Sequence, residues 1–546
     1  MTAPFTRTRS RSRLAAAGLL AGVAGLVLVA AVPASAAAPA GKPTGPLPGG
    51  YKNLVVIYEE NHSFDNLYGT WGRVGGQVVN GLQNATAAKT IQVDQQGSAY
   101  RCLLQNDVNL TSPPLSSTCH DPAHAVPDSH FRNWWFTIDK YIKPTDTTCP
   151  APGASAPFGV RKGEGLPGGC TRDIVHRFYQ EQYQINDGHQ NRYVTGSDAV
   201  GLVMGRYDTK ALPIYKYLHS KEAPNYVVAD NFFQAAFGGS FLNHQWLIAA
   251  RTPLDTSGGV LGAKNSLLDS NGMVNSYDLY TPTGPVNDGQ LTQACAGTTA
   301  NNYVAACGDF AVNTVQPSSP PAATSGAKIP LIDDTAYPNI GDRMTARGIT
   351  WNWYAGGWDD AEAGHPGKLF QFHHQPFNYF ADYAPGKPGR THLKDETKFF
   401  TAAQNGTLPQ VSFVKPYGAE NEHPGYASEP NGSDHLVDLL KAITSGPQAK
   451  DTLVVVTYDE FGGQWDHVSP PVVDKWGPGT RIPALVLSAG MVKSGVDHTT
   501  YDTTSIMATI ERSYDLAPVD TRDAHVKDLT AAVRLGDPRH HGQDGR

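Results

Sequence analysis

The stretch Leu453–Glu460 (LVVVTYDE) carries the most information about the fold of this chain. Its first six residues are apolar, β-branched or aromatic, without the polar alternation of a strand that has one wet face. This composition predicts a strand that is buried on both faces of a sheet. A second stretch, Leu54–Asn61 (LVVIYEEN), has the same form, an apolar run that ends in acidic residues. Two such strands favour a layered α/β fold with helices on both faces of the sheet.

Other short apolar runs and the helical patterns between them support the same fold class. Further strands are predicted at Tyr226–Ala229, Val411–Val414 and Ala484–Leu487. Helices are predicted at Leu436–Ile443, where Ser433 and Asp434 are capping candidates, and at Ser505–Glu511. The aromatic cluster Trp351–Tyr354 is interpreted as core.

Composition and charge exclude several classes of protein. The 546 residues contain 43 Lys and Arg against 50 Asp and Glu, so the formal net charge is −7, which excludes a nucleic-acid-binding polycation. Hydrophobic residues make up 40%, enough to bury the core of one large or two ordinary domains, and this excludes disorder of the whole chain. The 56 Gly and 40 Pro indicate a protein rich in loops.

The N-terminus has the pattern of a secretory signal peptide. Four arginines between Arg7 and Arg13 precede an apolar run, Leu14–Val32, and a small-residue cleavage pattern at Ala34–Ala36. We therefore predict a signal peptide over 1–36 and a secreted or cell-surface protein. The alternative is a membrane anchor, because the run is near the ~20 residues that span a bilayer. After cleavage we expect no stable membrane span.

All six cysteines lie in the exported part, as a set of disulfides requires. Pairing of neighbours is the simplest arrangement, and it would clip loops through Cys102/Cys119, Cys149/Cys170 and Cys295/Cys307. The domain limits expected from the sequence are a flexible linker over 37–50, a catalytic domain over 51–520 with loop insertions at about 143–170 and 255–330, and a C-terminal tail over 521–546.

Acidic residues follow two of the predicted buried strands. Glu59, Glu60 and Asn61 follow the first strand, and Asp459 and Glu460 follow the strand at 453–458. Because ligands of α/β sheets bind beyond the carboxyl ends of the strands, these side chains are expected to converge. Like charges in one crevice repel each other unless a cation lies among them, so a hard metal with oxygen ligands is expected. The alternative is that each acid is a solvated turn residue.

A serine and several histidines are further candidates for the chemistry. Ser240 follows Gly238-Gly239, a pair that allows a sharp turn and close approach of a substrate. By itself this signal is weak, because Gly-Gly-Ser is more often a turn. The histidines that stand out are His124, His373, His374, His423 and His467, each of which has a structural or surface role as its alternative.

Three segments together resemble the bacterial phosphoesterase family. They are Glu59–Gly69 (EENHSFDNLYG), Asp230–Trp246, which contains GGSFLNHQ, and Thr457–Val468 (TYDEFGGQWDHV). This family contains phosphatidylcholine-preferring phospholipases C and metal-dependent acid phosphatases, and its fold is similar to that of alkaline phosphatase. The resemblance covers most of the chain from Tyr51 to Asp515.

The resemblance implies a role for each matching residue. One divalent or otherwise hard metal ion would be held by Glu60, Asn61, Asp459, Glu460 and Ser240, with Ser240 as the nucleophile. The phosphate pocket would be lined by His124, His373, His374 and His423, one of them the general acid. Ser240 with Asn243-His244 looks like the acid-phosphatase branch, because the phospholipase branch tends to have threonine and an Asn-Arg pair there.

The function expected from the sequence is therefore a secreted, metal-dependent phosphomonoesterase that acts through a phosphoserine intermediate. Its substrate would be a phosphorylated small molecule or a phospholipid, and no nucleic-acid partner is expected. The nearest alternative is a phospholipase C-type phosphodiesterase, and a more remote one is a secreted glycan-binding protein without catalysis.

Overall fold

A large sheet dominates the computed structural model of this protein, which describes residues 45–105, 115–124, 126–141, 173–254, 268–284, 286, 291–292, 310–426 and 428–537. The predicted signal peptide lies outside these residues. Every described residue belongs to one unit, Pro43–Arg546. No helix among the described residues is both long and apolar enough to cross a lipid bilayer.

The sheet has eight strands, and the five predicted from the sequence are among them. In chain order they are β1 (Asn53–Glu59), β2 (Asn225–Ala229), β3 (Trp351–Ala355), β4 (Leu393–Asp395), β5 (Val411–Lys415), β6 (Thr452–Tyr458), β7 (Ala484–Ser488) and β8 (Gly495–Asp497). Their order across the sheet is β4-β3-β5-β1-β6-β7-β2-β8. The aromatic cluster interpreted as core forms β3, with Trp351 and Trp353 buried.

The direction of the strands determines which side chains meet at one edge of the sheet. Strand β1 pairs in parallel with β5 on one side and with β6 on the other, whereas β7 pairs antiparallel with both β6 and β2. The carboxyl ends of β1, β5 and β6 therefore meet at one edge of the sheet. The side chains that follow these three neighbouring strands are brought together there.

The helices confirm the predicted mixture of strands and helices. They are α1 (Phe64–Leu67), α2 (Ala87–Thr90), α3 (Phe178–Ile185), α4 (Pro213–Leu218), α5 (Ser240–Ala249), α6 (Ile340–Ala346), α7 (Trp358–Glu362), α8 (Glu396–Asn405), α9 (Glu429–Ser445), α10 (Thr504–Tyr514), α11 (Thr521–His525) and α12 (Thr530–Gly536). Helix α9 contacts both α4 and α8, and helix α10 contacts both α5 and α11. The predicted helix at 505–511 lies within α10.

Helix α9 is longer than the sequence analysis predicts. It starts at Glu429, and the Ser428 hydroxyl caps it by accepting a hydrogen bond from the Asn431 amide. Ser433, expected as a cap, lies inside the helix and is buried. The helix starts earlier because Pro430 occupies its first turn, where proline needs no hydrogen-bond partner.

Short pairs of strands form the periphery. They are Arg73–Val74 with Gln77–Val78, Cys119–Asp121 with Val126–Ser129, Phe136–Thr137 with Gly205–Arg206, Phe232–Phe233 with Tyr501–Asp502, Leu291–Thr292 with Phe310–Ala311, and Gln316–Pro317 with Lys328–Ile329. The predicted disulfide between Cys102 and Cys119 is confirmed. The other two proposed cysteine pairs lie outside the described residues.

The chain after residue 520 is not a tail as far as residue 537. Helices α11 and α12 occupy it, and Leu529, Ala532 and Val533 are fully buried in the main core. Helix α12 packs on β2 and β8. The expectation of a tail fails because these apolar residues cover the end of the sheet, which water would otherwise reach.

Candidate active site

Buried side chains from three neighbouring strands meet at the carboxyl edge of the sheet. Glu60 and Asn61 follow β1, Lys415 ends β5, and Asp459 and Glu460 follow β6. Together with Ser240, we name these six residues the serine cluster. The cluster confirms that the acids from the two sequence segments converge, as their positions after the strands predict.

Ser240 is placed by a turn that only glycine allows. Gly238 has φ of +93°, and a Cβ atom there would lie 2.7 Å from the backbone nitrogen of Phe178. Gly239 then precedes helix α5, of which Ser240 is the first residue. The Ser240 hydroxyl lies 3.1 Å from Glu60 Oε2, 3.2 Å from Asn61 Oδ1 and 3.3 Å from Glu460 Oε1.

Backbone groups hold the acids of the cluster in fixed positions. Asp459 Oδ1 accepts hydrogen bonds from the amides of Asn61 (3.0 Å) and Glu460 (2.8 Å), and Glu460 Oε2 accepts one from Gly462 (2.6 Å). The Lys415 ammonium donates to the Tyr58 carbonyl at 2.8 Å and lies 2.5 Å from Glu60 Oε1. The two strand-end segments are therefore bonded to each other as well as to β5.

Two histidines lie against Glu60. His374 Nε2 is 3.0 Å and His244 Nε2 is 3.9 Å from Glu60 Oε1, and the two imidazole rings are parallel with centroids 5.2 Å apart. His373 lies next to them, with its ring 6.3 Å from that of His244. Glu60, His244 and His374 offer ligand atoms within 4.8 Å of one another, which makes them a candidate metal-binding group.

Two more histidines lie on the other side of the cluster, around Asn61. The Asn61 side-chain amide is 2.9 Å from His423 Nε2 and 3.4 Å from His176 Nε2. In both rings Nδ1 lies at hydrogen-bond distance from a backbone carbonyl, Pro424 for His423 and Ile174 for His176. A carbonyl oxygen can only accept a hydrogen bond, so Nδ1 of each ring carries a proton, and Nε2 is the ring atom that faces the site.

Burial keeps the rings of His244 and His423 neutral and raises the proton affinity of Asp459. It lowers the pKa of His423 to about 3 and lowers that of His244 well below its ordinary value. Burial, and then the charge of Glu60, raises the pKa of Asp459 well above its ordinary range. For Glu60, His374 and Lys415 outweigh the effect of burial and hold the pKa low.

A cation fits this set of donors. Asp459 Oδ2 and His244 Nε2 are buried without a hydrogen-bond partner, and Glu60 Oε1 lies beside the Lys415 ammonium and His374 Nε2. Buried carboxylates that lack partners are costly unless a positive charge lies among them. The oxygens of Glu60, Asn61, Ser240, Asp459 and Glu460 are the ligand type of a hard metal.

The structure does not bring His124 to the cluster. Its contacts are with Asp121, Asp94 and the ring of Tyr100. His176 lies beside Asn61 and Glu460 instead, and sequence reasoning missed it because no strand or motif leads into it. His244 and Lys415 were also missed, although Lys415 directly follows the buried run Val411–Val414, a signal that was available.

Comparison with known proteins agrees with this geometry. The model of the phosphoesterase family matches residues 51–517. Non-hemolytic phospholipase C of Burkholderia pseudomallei is 30% identical over 250 residues, which cover 37% of this chain and 34% of that protein. Phospholipase C B of Mycobacterium tuberculosis is 22% identical over 538 residues, 90% of this chain and 80% of that protein.

Among solved structures, a protein in the alkaline phosphatase superfamily from Vibrio parahaemolyticus matches part of this chain. It is 10% identical, and the match covers 34% of this chain and 50% of that chain with a TM-score of 0.23. The match of the family model spans nearly all of the described sheet and every residue of the serine cluster. This chain therefore belongs to the phosphoesterase family of phosphoric ester hydrolases.

Proposed function

We propose that this protein is a metal-dependent phosphodiesterase of the phospholipase C type and that Ser240 is its nucleophile. The observation that carries the proposal is the position of the Ser240 hydroxyl, which lies within 3.1 to 3.3 Å of oxygens from both strand-end segments. A serine hydroxyl is weakly nucleophilic unless neighbouring groups activate it. Here buried carboxylates offer oxygens to its proton at the start of a helix.

A metal held by Glu60, Asn61, Ser240, Asp459 and Glu460 would supply positive charge that favours the serine alkoxide and neutralises phosphate oxygens. The hydroxyl of Ser240 is placed to attack phosphorus, and Glu60 and Glu460 each offer a carboxylate oxygen to the proton that leaves. The backbone bonds of Asp459 hold this arrangement before substrate arrives.

His176 and His423 are placed to serve the phosphate and the leaving group. Their Nε2 atoms face Asn61, and burial keeps His423 neutral in the free protein by lowering its pKa. A phosphate ester that enters beside them brings negative charge, which favours the protonated form of a neighbouring ring. Each Nε2–H then donates a hydrogen bond to the phosphate, and one of them gives its proton to the departing alkoxide.

The relatives favour a diester over the monoester expected from the sequence. Both reported relatives are named phospholipase C, and one of them aligns over 90% of this chain. The second candidate is an acid-phosphatase-type monoesterase, and serine rather than threonine at position 240 with Asn243-His244 favours it.

Two chromogenic substrates separate the candidates. We expect kcat/KM for p-nitrophenylphosphorylcholine to exceed that for p-nitrophenyl phosphate, and both activities to disappear after chelation and return with added metal. The reverse preference would favour the monoesterase. Activity that persists in protein shown by elemental analysis to hold no metal would contradict metal dependence.

We also propose that the protein is exported through the signal peptide predicted over 1–36. The disulfide between Cys102 and Cys119 supports this, because disulfides persist in oxidising compartments. N-terminal sequencing of protein from the culture medium tests it, and we expect the mature chain to begin close to Ala36. A chain that retains residues 1–36 in the cell fraction would contradict it.

A further inference from the structure

The loop Pro470–Trp476 (PPVVDKW) presents two adjacent valines to solvent. Val472 is 97% exposed and Val473 is 54% exposed, and Val472 is the most exposed of the large hydrophobic side chains among the described residues. Single exposed apolar residues are ordinary on protein surfaces. Val472 and Val473 are adjacent at the tip of one loop, which begins shortly after the Asp466-His467 motif. Together they form a small exposed apolar surface, of the kind that marks an interaction site.

The loop is held in this exposed conformation by its own structure. The Trp476 amide donates to Asp474 Oδ1 at 2.8 Å, and the Asp474 amide donates to the Gly477 carbonyl at 3.1 Å. Arg522 Nη2 lies 2.7 Å from Asp474 Oδ2. Pro470 and Pro471 fix the backbone on the other side of the valines. The valines are therefore presented by a closed turn.

The base of the loop is fastened to the two segments that carry His176 and Ser240. The Trp476 carbonyl accepts a hydrogen bond of 2.7 Å from the amide of Phe237, three residues before Ser240. The Trp476 ring lies 5.8 Å from that of Phe178, two residues after His176. The side chain of His176 is 19% exposed, so the serine cluster reaches solvent near these segments.

The chemistry of the loop matches a lipid surface. Its tip is apolar, and Lys475 is exposed with its ammonium 4.9 Å from the centre of the Trp476 ring. Asp474 shares the Arg522 guanidinium with Asp502, and the Lys475 ammonium is the positive charge that the loop itself presents to solvent. Apolar side chains next to a tryptophan and a lysine are typical of segments that lie at the boundary between lipid headgroups and acyl chains.

We propose that the loop Pro470–Trp476 inserts Val472 and Val473 into a phospholipid surface while Lys475 contacts lipid phosphates, which brings the serine cluster to the headgroups. This rests on the proposed function, since a lipid diester has to be drawn from such a surface. A second protein chain is the poorer partner, because stable protein interfaces bury about 1,000 Å² or more and the tip offers two valines.

Sedimentation with vesicles of phosphatidylcholine and phosphatidylglycerol tests the loop directly. The double variant Val472→Ser/Val473→Ser should bind about tenfold or more weakly than the wild type, since two buried valine side chains are lost from the interface. Val78→Ser is the matched control, because Val78 is a 38% exposed valine on a peripheral hairpin, and its binding should not change. The variant Val472→Trp should bind more tightly.

The outcomes separate this proposal from the proposed function. Hydrolysis of soluble p-nitrophenylphosphorylcholine should remain within about twofold of wild type in all three variants, because no loop valine touches the cluster. Equal vesicle binding by the double variant and the wild type would overturn the loop proposal, and so would a change confined to self-association. Absence of soluble diester hydrolysis in the wild type would instead overturn the proposed function, because vesicle binding is measured on chelated protein, which does not turn over the lipid.

Discussion

The two segments that follow β1 and β6 contribute acids both to the serine cluster and to a second set of buried charges, but the two sets are balanced differently. The second set, which we name the arginine network, consists of Asp65, Asp466, His467 and Arg481. Arg481 lies 3.1 Å from Asp65 Oδ1 and 3.1 Å from Asp466 Oδ1, and His467 Nδ1 is 2.6 Å from Asp65 Oδ2. No buried side-chain atom of these four residues lacks a hydrogen-bond partner.

The serine cluster has the opposite character. Its three carboxylates face the Lys415 ammonium, and Asp459 Oδ2 is buried without a hydrogen-bond partner. A set whose charges are matched holds two segments together, whereas a set with unmatched acids is prepared for a cation and a substrate. Unmatched acidic charge, more than burial of charge itself, distinguishes the serine cluster from the arginine network.

The largest difference between the two sets should appear in catalysis. Ser240→Ala should lower kcat/KM by about 10⁴-fold or more, because the attacking oxygen is lost. The thermal midpoint should change little, since alanine is well tolerated in the first turn of a helix. Steady-state kinetics with the chromogenic diester, together with thermal unfolding, measure both quantities.

Ser412→Ala is the matched control for this change. Ser412 is as deeply buried as Ser240, lies in β5, and its hydroxyl has no hydrogen-bond partner. Its replacement should leave kcat/KM within about twofold of wild type. If the Ser240 variant kept activity within about tenfold of wild type, Ser240 would not be the nucleophile.

The arginine network should show its largest effect in stability. Arg481→Met leaves Asp65 and Asp466 buried without their cation, so the free energy of unfolding should fall by about 3 to 5 kcal/mol. Urea unfolding measures this. Arg347→Met, which removes an exposed ion pair with Asp515, should cost less than about 1 kcal/mol. Equal losses in the two variants would mean that the network does not hold the segments together.

Metal should stabilise the serine cluster and leave the arginine network unaffected. At a free metal concentration 100-fold above Kd, binding should add about 2.7 kcal/mol to the free energy of unfolding. Asp459→Asn should reduce this gain, and it should stabilise the chelated protein because one of the repelling carboxylates is removed. Asp466→Asn should retain the full gain. Thermal shifts with and without chelator make the comparison.

Much of the sheet could be predicted because its strands are buried on both faces. The five predicted strands appear within one residue at each end, since runs such as Val454–Val456 have no other environment in a soluble protein. Strand β3 was missed as a strand because Asn352 interrupts its aromatic residues. The start of α9 was misplaced although Ser428 and Pro430 together signal it.

The site could be predicted where chemistry follows directly from a strand. Glu60 and Asp459 come after apolar runs, and parallel pairing of β1 with β6 then brings them together. His176 reaches the site through packing of distant segments, and no local pattern contains that information. His124 illustrates the reverse case, because histidine residues are frequent in its neighbourhood and the sequence does not show that Asp121 and Asp94 hold it elsewhere.

Glu181 is a further buried acid, and its hydrogen bonds come from neutral donors. Its carboxylate accepts hydrogen bonds from the amide of Gly238 (2.6 Å), from the side chain of Gln234 (2.9 Å), and from the amide and hydroxyl of Thr480. By accepting these hydrogen bonds from neutral donors, Glu181 fixes the glycine turn that precedes Ser240. Glutamine has only one oxygen acceptor, so it cannot accept all of these bonds.

Glu181→Gln should therefore loosen the nucleophile without removing it. We expect kcat for the soluble diester to fall about tenfold with KM within about twofold, because the Ser240 hydroxyl is less well positioned. Glu222→Gln, at an exposed glutamate, is the control and should change neither value. A rise in KM with unchanged kcat would show that Glu181 serves substrate binding and not the position of Ser240.

The smallest expected effect, and the one most specific to Glu181, is the change in unfolding free energy with pH. Burial, which outweighs the four donors, raises its pKa to about 8 from the ordinary 4.5. The folded protein then holds this proton more tightly than the unfolded chain does, so the stabilising contribution is full below pH 4.5 and is lost as the pH rises to about 8. Glutamine does not titrate, so the wild type should lose stability relative to Glu181→Gln across this window. A difference in unfolding free energy that stays constant with pH would mean that Glu181 is ionised throughout, held in that form by its four donors.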